Sequence, residues 1–198
     1  MKEPDSKKQR KDNGAKVDVK WVGMIFGVTI LISVCFSFLS ETLLERVGTG
    51  LAFVVLFSIV LVGILFDIIG VSVTTASEQP FHSMAARNLP EAKEAIRLIR
   101  SAPKVSSFCN DVVGDICGVV SGSASAVIAA AVIRNFEPTA ASIFKLFLSA
   151  LVAALTVGGK AVGKAFAINA STPIIHFAAK LIYRVKAFFR WLRGLFGK

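Results

Sequence analysis

Inside long apolar helices, a charged side chain costs about 3 kcal/mol even by the mildest scale, so those that are kept there are candidates for function. In this sequence such residues fall at one level of a set of apolar stretches. The second stretch carries Asp67, Ser72, Thr75, Ser77 and Glu78 toward its end, the third opens with Asn110, Asp111 and Asp115, and the fourth closes with Lys160 and Lys164. Carboxylate, amide and hydroxyl oxygens are the ligands that hard cations such as Mg²⁺ prefer. The two lysines do not fit that set. The same residues serve equally as an interhelical network of ion pairs and hydrogen bonds that locks the helices together.

Other chemistry finds no support. His82 and His176 are single and far apart in sequence, which suits interfacial packing better than metal ligation. Cys35, Cys109 and Cys117 make neither a disulfide framework nor a metal-ligand spacing and read as free, packed thiols. No Ser/His/Asp set, zinc motif or phosphate loop stands in a credible context, so an enzyme is not expected.

The elements that must position the polar residues are read from the apolar runs. Nothing is charged between Lys20 and Glu41, from Val47 to Phe66, or from Ile116 to Ile133, and the run from Pro138 to Gly159 is broken only by Lys145. About 20 apolar residues suffice to cross a bilayer core about 30 Å thick. With 54% hydrophobic residues and a mean hydropathy of +0.66, the chain reads as an all-α integral membrane protein with four transmembrane helices. The net charge is +10, and its placement gives direction. Lys and Arg crowd the first 20 residues, the segment between Glu78 and Asp111, and the tail beyond Pro173, whereas the two other connections hold only Arg46 and Arg134. By the positive-inside rule the chain is a multi-pass protein of the cell membrane with both termini cytoplasmic. Basic residues beside spans, rather than on one polar domain, argue against a nucleic-acid partner. The first run is too long for a cleaved signal peptide and reads as an anchor.

Residues 1–18 are expected to be a disordered basic segment and residues 19–41 a first helix, with Trp21 beside Lys20 as its interfacial anchor. A short external turn follows from Glu41 to Gly50. After the second span, Leu89-Pro90-Glu91 marks the start of an amphipathic cytoplasmic helix, and a second short helix leads through Phe108 to Asp111 into the membrane. The third span carries a small-residue ladder, Gly114, Gly118, Gly122, Ala126 and Ala130, which lets a helix approach closely within the bundle or across a dimer. Ser121, Ser123 and Ser125 are placed to bond across such an interface; a water-lined pathway is the sharper alternative. In residues 173–198, Phe177, Leu181, Val185, Phe188 and Leu192 fall on one helical face and Lys186, Arg190 and Arg193 on another. Such a helix lies in the interface and favours anionic lipid, with calmodulin-like capture a distant alternative.

Residues 49–180 resemble the transmembrane domain of the CNNM/CorC family, a group linked to magnesium export. Thr75-Ala76-Ser77-Glu78 stands where that family has a Ser-x-Ser-Glu-like motif, Cys109-Asn110 where it has a Gly-Asn pair, and Gly159-Lys160-Ala161-Val162-Gly163-Lys164 where it has Gly-Glu-x-x-Pro-Lys. The resemblance implies a homodimeric three-span core, with residues 19–41 as an added helix, and a cation site between the helices. Carried over by position, Ser77 and Asn110 would be the metal ligands and Thr75 and Glu78 their neighbours. Two departures stand out: Lys160 replaces the family's glutamate and Gly163 its proline. No segment is expected to fold as the family's CBS-pair domain.

Three functions follow as expectations. The first is a cation transporter or sensor, with Mg²⁺ the first candidate. The second is a structural or regulatory membrane protein in which Lys160 takes the cation's place and pairs with Glu78, Asp67 or Asp111. The third, weaker, is a small holin-like protein, suggested by size and the basic tail.

Overall fold

In the computed structural model, residues 19–46, 48–133 and 137–196 are described, and all their regular structure is helical. The basic segment 1–18 and Arg134 of the second external turn lie outside the described residues. The long helices are α1 (Val19–Arg46), α2 (Thr49–Thr75), α6 (Asp115–Val132) and α7 (Pro138–Asn169). Between α2 and α6 come α3 (Gln79–Ala86), α4 (Pro90–Arg100), α5 (Ala102–Ser107) and a π-helical segment (Phe108–Gly114); α8 (Ser171–Phe196) closes the chain.

Four helical spans are long and apolar enough to cross a membrane: Val19–Ser40, Thr49–Thr75, Ala102–Val132 and Pro138–Asn169. Their outward faces carry Phe26, Leu31 and Phe38 on α1, Leu51, Val54 and Leu61 on α2, and Leu146, Phe147 and Val157 on α7, all exposed. In water so continuous an apolar surface would drive aggregation. It fits an all-α membrane protein.

One boundary differs from the sequence expectation. The external turn foreseen from Glu41 onward is shorter, because α1 runs on to Arg46 through good helix formers. The short helix expected to lead through Phe108 to Asp111 into the third span runs from Ala102 without interruption, and its Phe108–Gly114 stretch is π-helical. The start of α4 falls at Pro90, as Leu89-Pro90-Glu91 predicts, and Asn88 before it takes the left-handed conformation (φ 59°) that asparagine tolerates.

Helix α2 is the hub. It packs against α6 and α7 through a core of Leu56, Val60, Ile128, Ala129, Leu148 and Val152. Its other end, at Val73, packs against Phe81 of α3, Ala95 of α4, and Ile175 and Ala179 of α8. Helix α1 is peripheral and leans through Ile25 and Ile32 on the Val112, Ile116 and Val120 row. Lys104 Nζ stands 5.0 Å over the Trp21 ring, so the start of α1, the 76–107 segment and α8 share one end of the bundle.

The buried face of α6 is Ile116, Cys117, Val120, Ser121, Ala124, Ser125, Ile128 and Ala129. Of the small-residue ladder only Gly114 is buried; Gly118 has open space beside it, and Gly122, Ala126 and Ala130 face outward. Within the chain the serines bond to their own helix rather than to a neighbouring one. Ser121, Ser123 and Ser125 donate to Gly118 O, Val119 O and Gly122 O of their own helix, at 2.9, 3.2 and 2.7 Å, the usual retreat of a hydroxyl in an apolar helix.

Candidate functional site

The polar residues singled out by the sequence divide into two groups about 10 Å apart along α2, at 1.5 Å per residue. The first group lies at the polar end of α2 and is fully engaged in local bonds. Thr75 Oγ1 donates to Val71 O at 3.1 Å, and Ser77 Oγ accepts from the Gln79 N–H at 3.3 Å. Glu78 accepts from Arg100 Nε at 3.3 and 3.2 Å and from Arg100 Nη2 at 3.2 Å, and His82 Nε2 lies 3.2 Å away. These bonds tie α3 and α4 to the end of α2.

The Arg100 guanidinium holds the Glu78 carboxyl below its ordinary value; desolvation opposes this and His82 adds to it. A carboxyl whose folded pKa is lowered contributes stability above its ordinary pKa and loses it as pH falls through the lowered one. Amide exchange in α3 and α4 should therefore accelerate, after correction for intrinsic rates, between about pH 5 and about pH 3, where carboxylates titrate. In Glu78→Gln it should start faster and lose that dependence. Exchange in α3 and α4 of wild type that ignores pH across this window would contradict the assignment.

The second group is buried where α2 meets the π segment. Gly63, Asp67 and Gly70 follow at i, i+4 and i+7, the spacing of one helical face. A Cβ on Gly63 would lie 2.9 Å from Cys117 Cβ and 3.8 Å from Gly114 O. One on Gly70 would overlap Asn110 Oδ1 and come within 2.8 Å of Asn110 Cγ and 3.1 Å of Cys109 Cβ. Gly70 lets the π segment, and Gly63 the start of α6, press against α2 on either side of Asp67. A π turn widens the helix and is frequent at functional sites; here it carries Asn110.

Asp67 is only 3% exposed, and its Oδ2 has no hydrogen-bond partner. Asn110 Nδ2 donates to Ser106 Oγ at 3.2 Å, while its Oδ1 is buried and also unpartnered. Both orphan atoms are acceptors, and Asp67 stands three residues, or a little under one helical turn, before Gly70, the residue that Asn110 Oδ1 meets. Unpartnered buried oxygens each cost about 1–3 kcal/mol or more, so such a pair calls for an explanation. Ser72 joins α2 to α7 by donating to Ala167 O at 3.5 Å.

Lys160 enters the same seam from α7. Its Nζ donates to Gly114 O at 3.4 Å and lies 3.8 Å from Asp115 Oδ1. Its ion-pair partner is thus Asp115, not Glu78, Asp67 or Asp111, because Glu78 is already held by Arg100 and His82. Asp115 is 72% exposed, so the pair is a weak anchor. Asp111 is exposed and accepts from Ser107 Oγ at 2.8 Å; Lys164 is exposed. The structure therefore brings Asn110, Asp67 and Lys160 to one seam and leaves Ser77, Thr75 and Glu78 at the other level. Among the described residues no three His, Cys, Asp or Glu side chains converge on one point. Sequence reading missed Gly63, Gly70 and Ser106; the glycine–Asp67–glycine spacing was the available signal.

Comparison of the chain with family models, with curated proteins and with solved structures finds no match.

Proposed function

We propose that this chain is a membrane-embedded cation-handling protein that moves or senses Mg²⁺ at the seam between α2 and the π segment. The observation that carries the reading is the pair of buried, unpartnered oxygens, Asp67 Oδ2 and Asn110 Oδ1. Mg²⁺ keeps several of its waters and needs only one or two protein carboxylates beside them. A carboxylate and an amide oxygen on one face suit a hydrated ion better than a fully stripped one. Ser77 belongs to this reading as part of the approach from the polar end of the bundle rather than as an inner ligand. In the proposed topology that end, with both termini and the 76–107 segment, is cytoplasmic. A homodimer would use the outward Gly118, Gly122, Ala126 and Ala130 row.

Reconstituted in proteoliposomes, the wild type should move Mg²⁺ into vesicles holding a Mg²⁺-sensitive dye. Asn110→Ala should slow that flux at least about tenfold, the equivalent of about 1.4 kcal/mol. Flux no faster than in protein-free vesicles would remove transport.

A second reading is favoured by Lys160, whose ammonium already sits on Gly114 O. In it the lysine is the resident cation and the protein is structural or regulatory. Lys160→Glu would then create Mg²⁺ binding that the wild type lacks, and micromolar binding by the wild type in calorimetry would exclude this reading.

A further inference from the structure

We propose that the hollow between α8 and the start of α4 binds the phosphate headgroup of an anionic phospholipid. The hollow has a volume of about 750 Å³ and is lined by Leu89, Lys93, Tyr183, Phe189, Arg190 and Arg193, together with the Glu94–Lys186 pair. Lys186 Nζ is held by Glu94 Oε2 at 2.6 Å, and the Arg190 guanidinium stands 6.0 Å from the Tyr183 ring centre. Among the described residues, no ion pair is formed by Lys93, Arg190 or Arg193 within the 4.0 Å that defines the others. Three cations without a carboxylate, two of them arginines with forked donors, make an anion site, and the fork geometry matches phosphate oxygens.

The geometry of α8 selects lipid as the source of that phosphate. At 100° per residue, Lys186 lies opposite Phe177, and Arg190 and Arg193 flank it on the same side. The opposite face presents Phe177, Leu181, Val185 and Phe188, exposed by 70, 54, 45 and 57%, with the long side chain of Arg184 among them. An amphipathic helix of this kind lies in the interface with its apolar face among the acyl chains. The basic hollow then stands at headgroup height, walled by protein on the α4 side, and basic pockets at that level recognise phosphorylated headgroups. The site is independent of the cation seam and requires only that α8 lie on the membrane.

The test is a titration of the purified full chain in neutral detergent, with binding read by native mass spectrometry. The probes are dioleoylphosphatidylglycerol, dioleoylphosphatidylcholine and inorganic pyrophosphate. In detergent there is no charged bilayer surface, so a basic group adds affinity only by bonding the headgroup; a guanidinium seated on the phosphate adds at least about fivefold. Phosphatidylglycerol should therefore bind at least about fivefold tighter than phosphatidylcholine, and Arg190→Gln should lose about fivefold. Arg184→Gln makes the same charge change on the same helix outside the hollow and should leave affinity unchanged. Glu94→Gln, which frees Lys186, should tighten binding. Equal losses from Arg184→Gln and Arg190→Gln would reduce the effect to general attraction and overturn the site. Pyrophosphate binding as tightly as the lipid, or displacing it at equal concentration, would overturn lipid as the ligand.

Discussion

Gly70→Ala should cost this protein about 2 kcal/mol of stability, the usual penalty for forcing a methyl group into a packed interface. The added Cβ would overlap Asn110 Oδ1, which could swing aside only by disturbing its bond to Ser106, and would sit 3.1 Å from Cys109 Cβ, which is fixed to the backbone of the π segment. Thermal unfolding in detergent would register the loss as a lowered midpoint. Asn110→Ala in the same chain removes the overlapped amide and should restore about half of it, a coupling of about 1 kcal/mol. Strictly additive losses from the two substitutions would mean that Gly70 and Asn110 do not meet. Gly158→Ala on the outward face of α7 is the control, because an added Cβ there meets nothing within 4 Å; it should not lower the midpoint, since alanine is the better helix former by about 1 kcal/mol.

Asp67→Asn should separate function from stability in opposite directions. In the absence of divalent cation the buried carboxylate is a liability, with Oδ2 unpartnered. Neutralising it should raise the unfolding free energy by about 1–3 kcal/mol. Excess Mg²⁺ should reverse the order. A ligand that binds only the folded protein stabilises it by about 2.7 kcal/mol at 100 times its Kd. The wild type should gain that increment and Asp67→Asn should not, so the two midpoints cross as Mg²⁺ is raised. Mg²⁺ flux in proteoliposomes should fall in the same variant. If both proteins respond identically to Mg²⁺, Asp67 is no part of a cation site.

Much of the architecture was legible from residue order. The long apolar runs announced four helices long and apolar enough to span a membrane, and Leu89-Pro90-Glu91 announced the start of α4. The crowding of Lys and Arg into three segments anticipated that the start of α1, the 76–107 segment and α8 share one end. Other features were not legible. The small-residue ladder suggested close packing within the bundle or across a dimer; within the chain Ile116, Val120 and Ile128 on a neighbouring face are the ones buried. Either face could pack, and only the positions of α1, α2 and α7 decide between them. The motif order likewise grouped Ser77 with Asn110. In the folded chain Ser77 caps the backbone beside it, while Asn110 meets Gly70 seven residues back along α2.

The sequence by itself determined that four helices would be apolar on nearly every side, that their polar residues would gather toward one end, and that the tail would carry charge and hydrocarbon on opposite faces. These are properties of composition and period, which a helix expresses wherever it lies. The tertiary structure alone decided that Gly70 admits the π segment and Gly63 the start of α6, that Asp67 Oδ2 and Asn110 Oδ1 are left buried without donors, and that Lys160 reaches Gly114 and Asp115. Those outcomes depend on close approaches between residues more than 35 positions apart in the chain. No periodicity within a single helix records them.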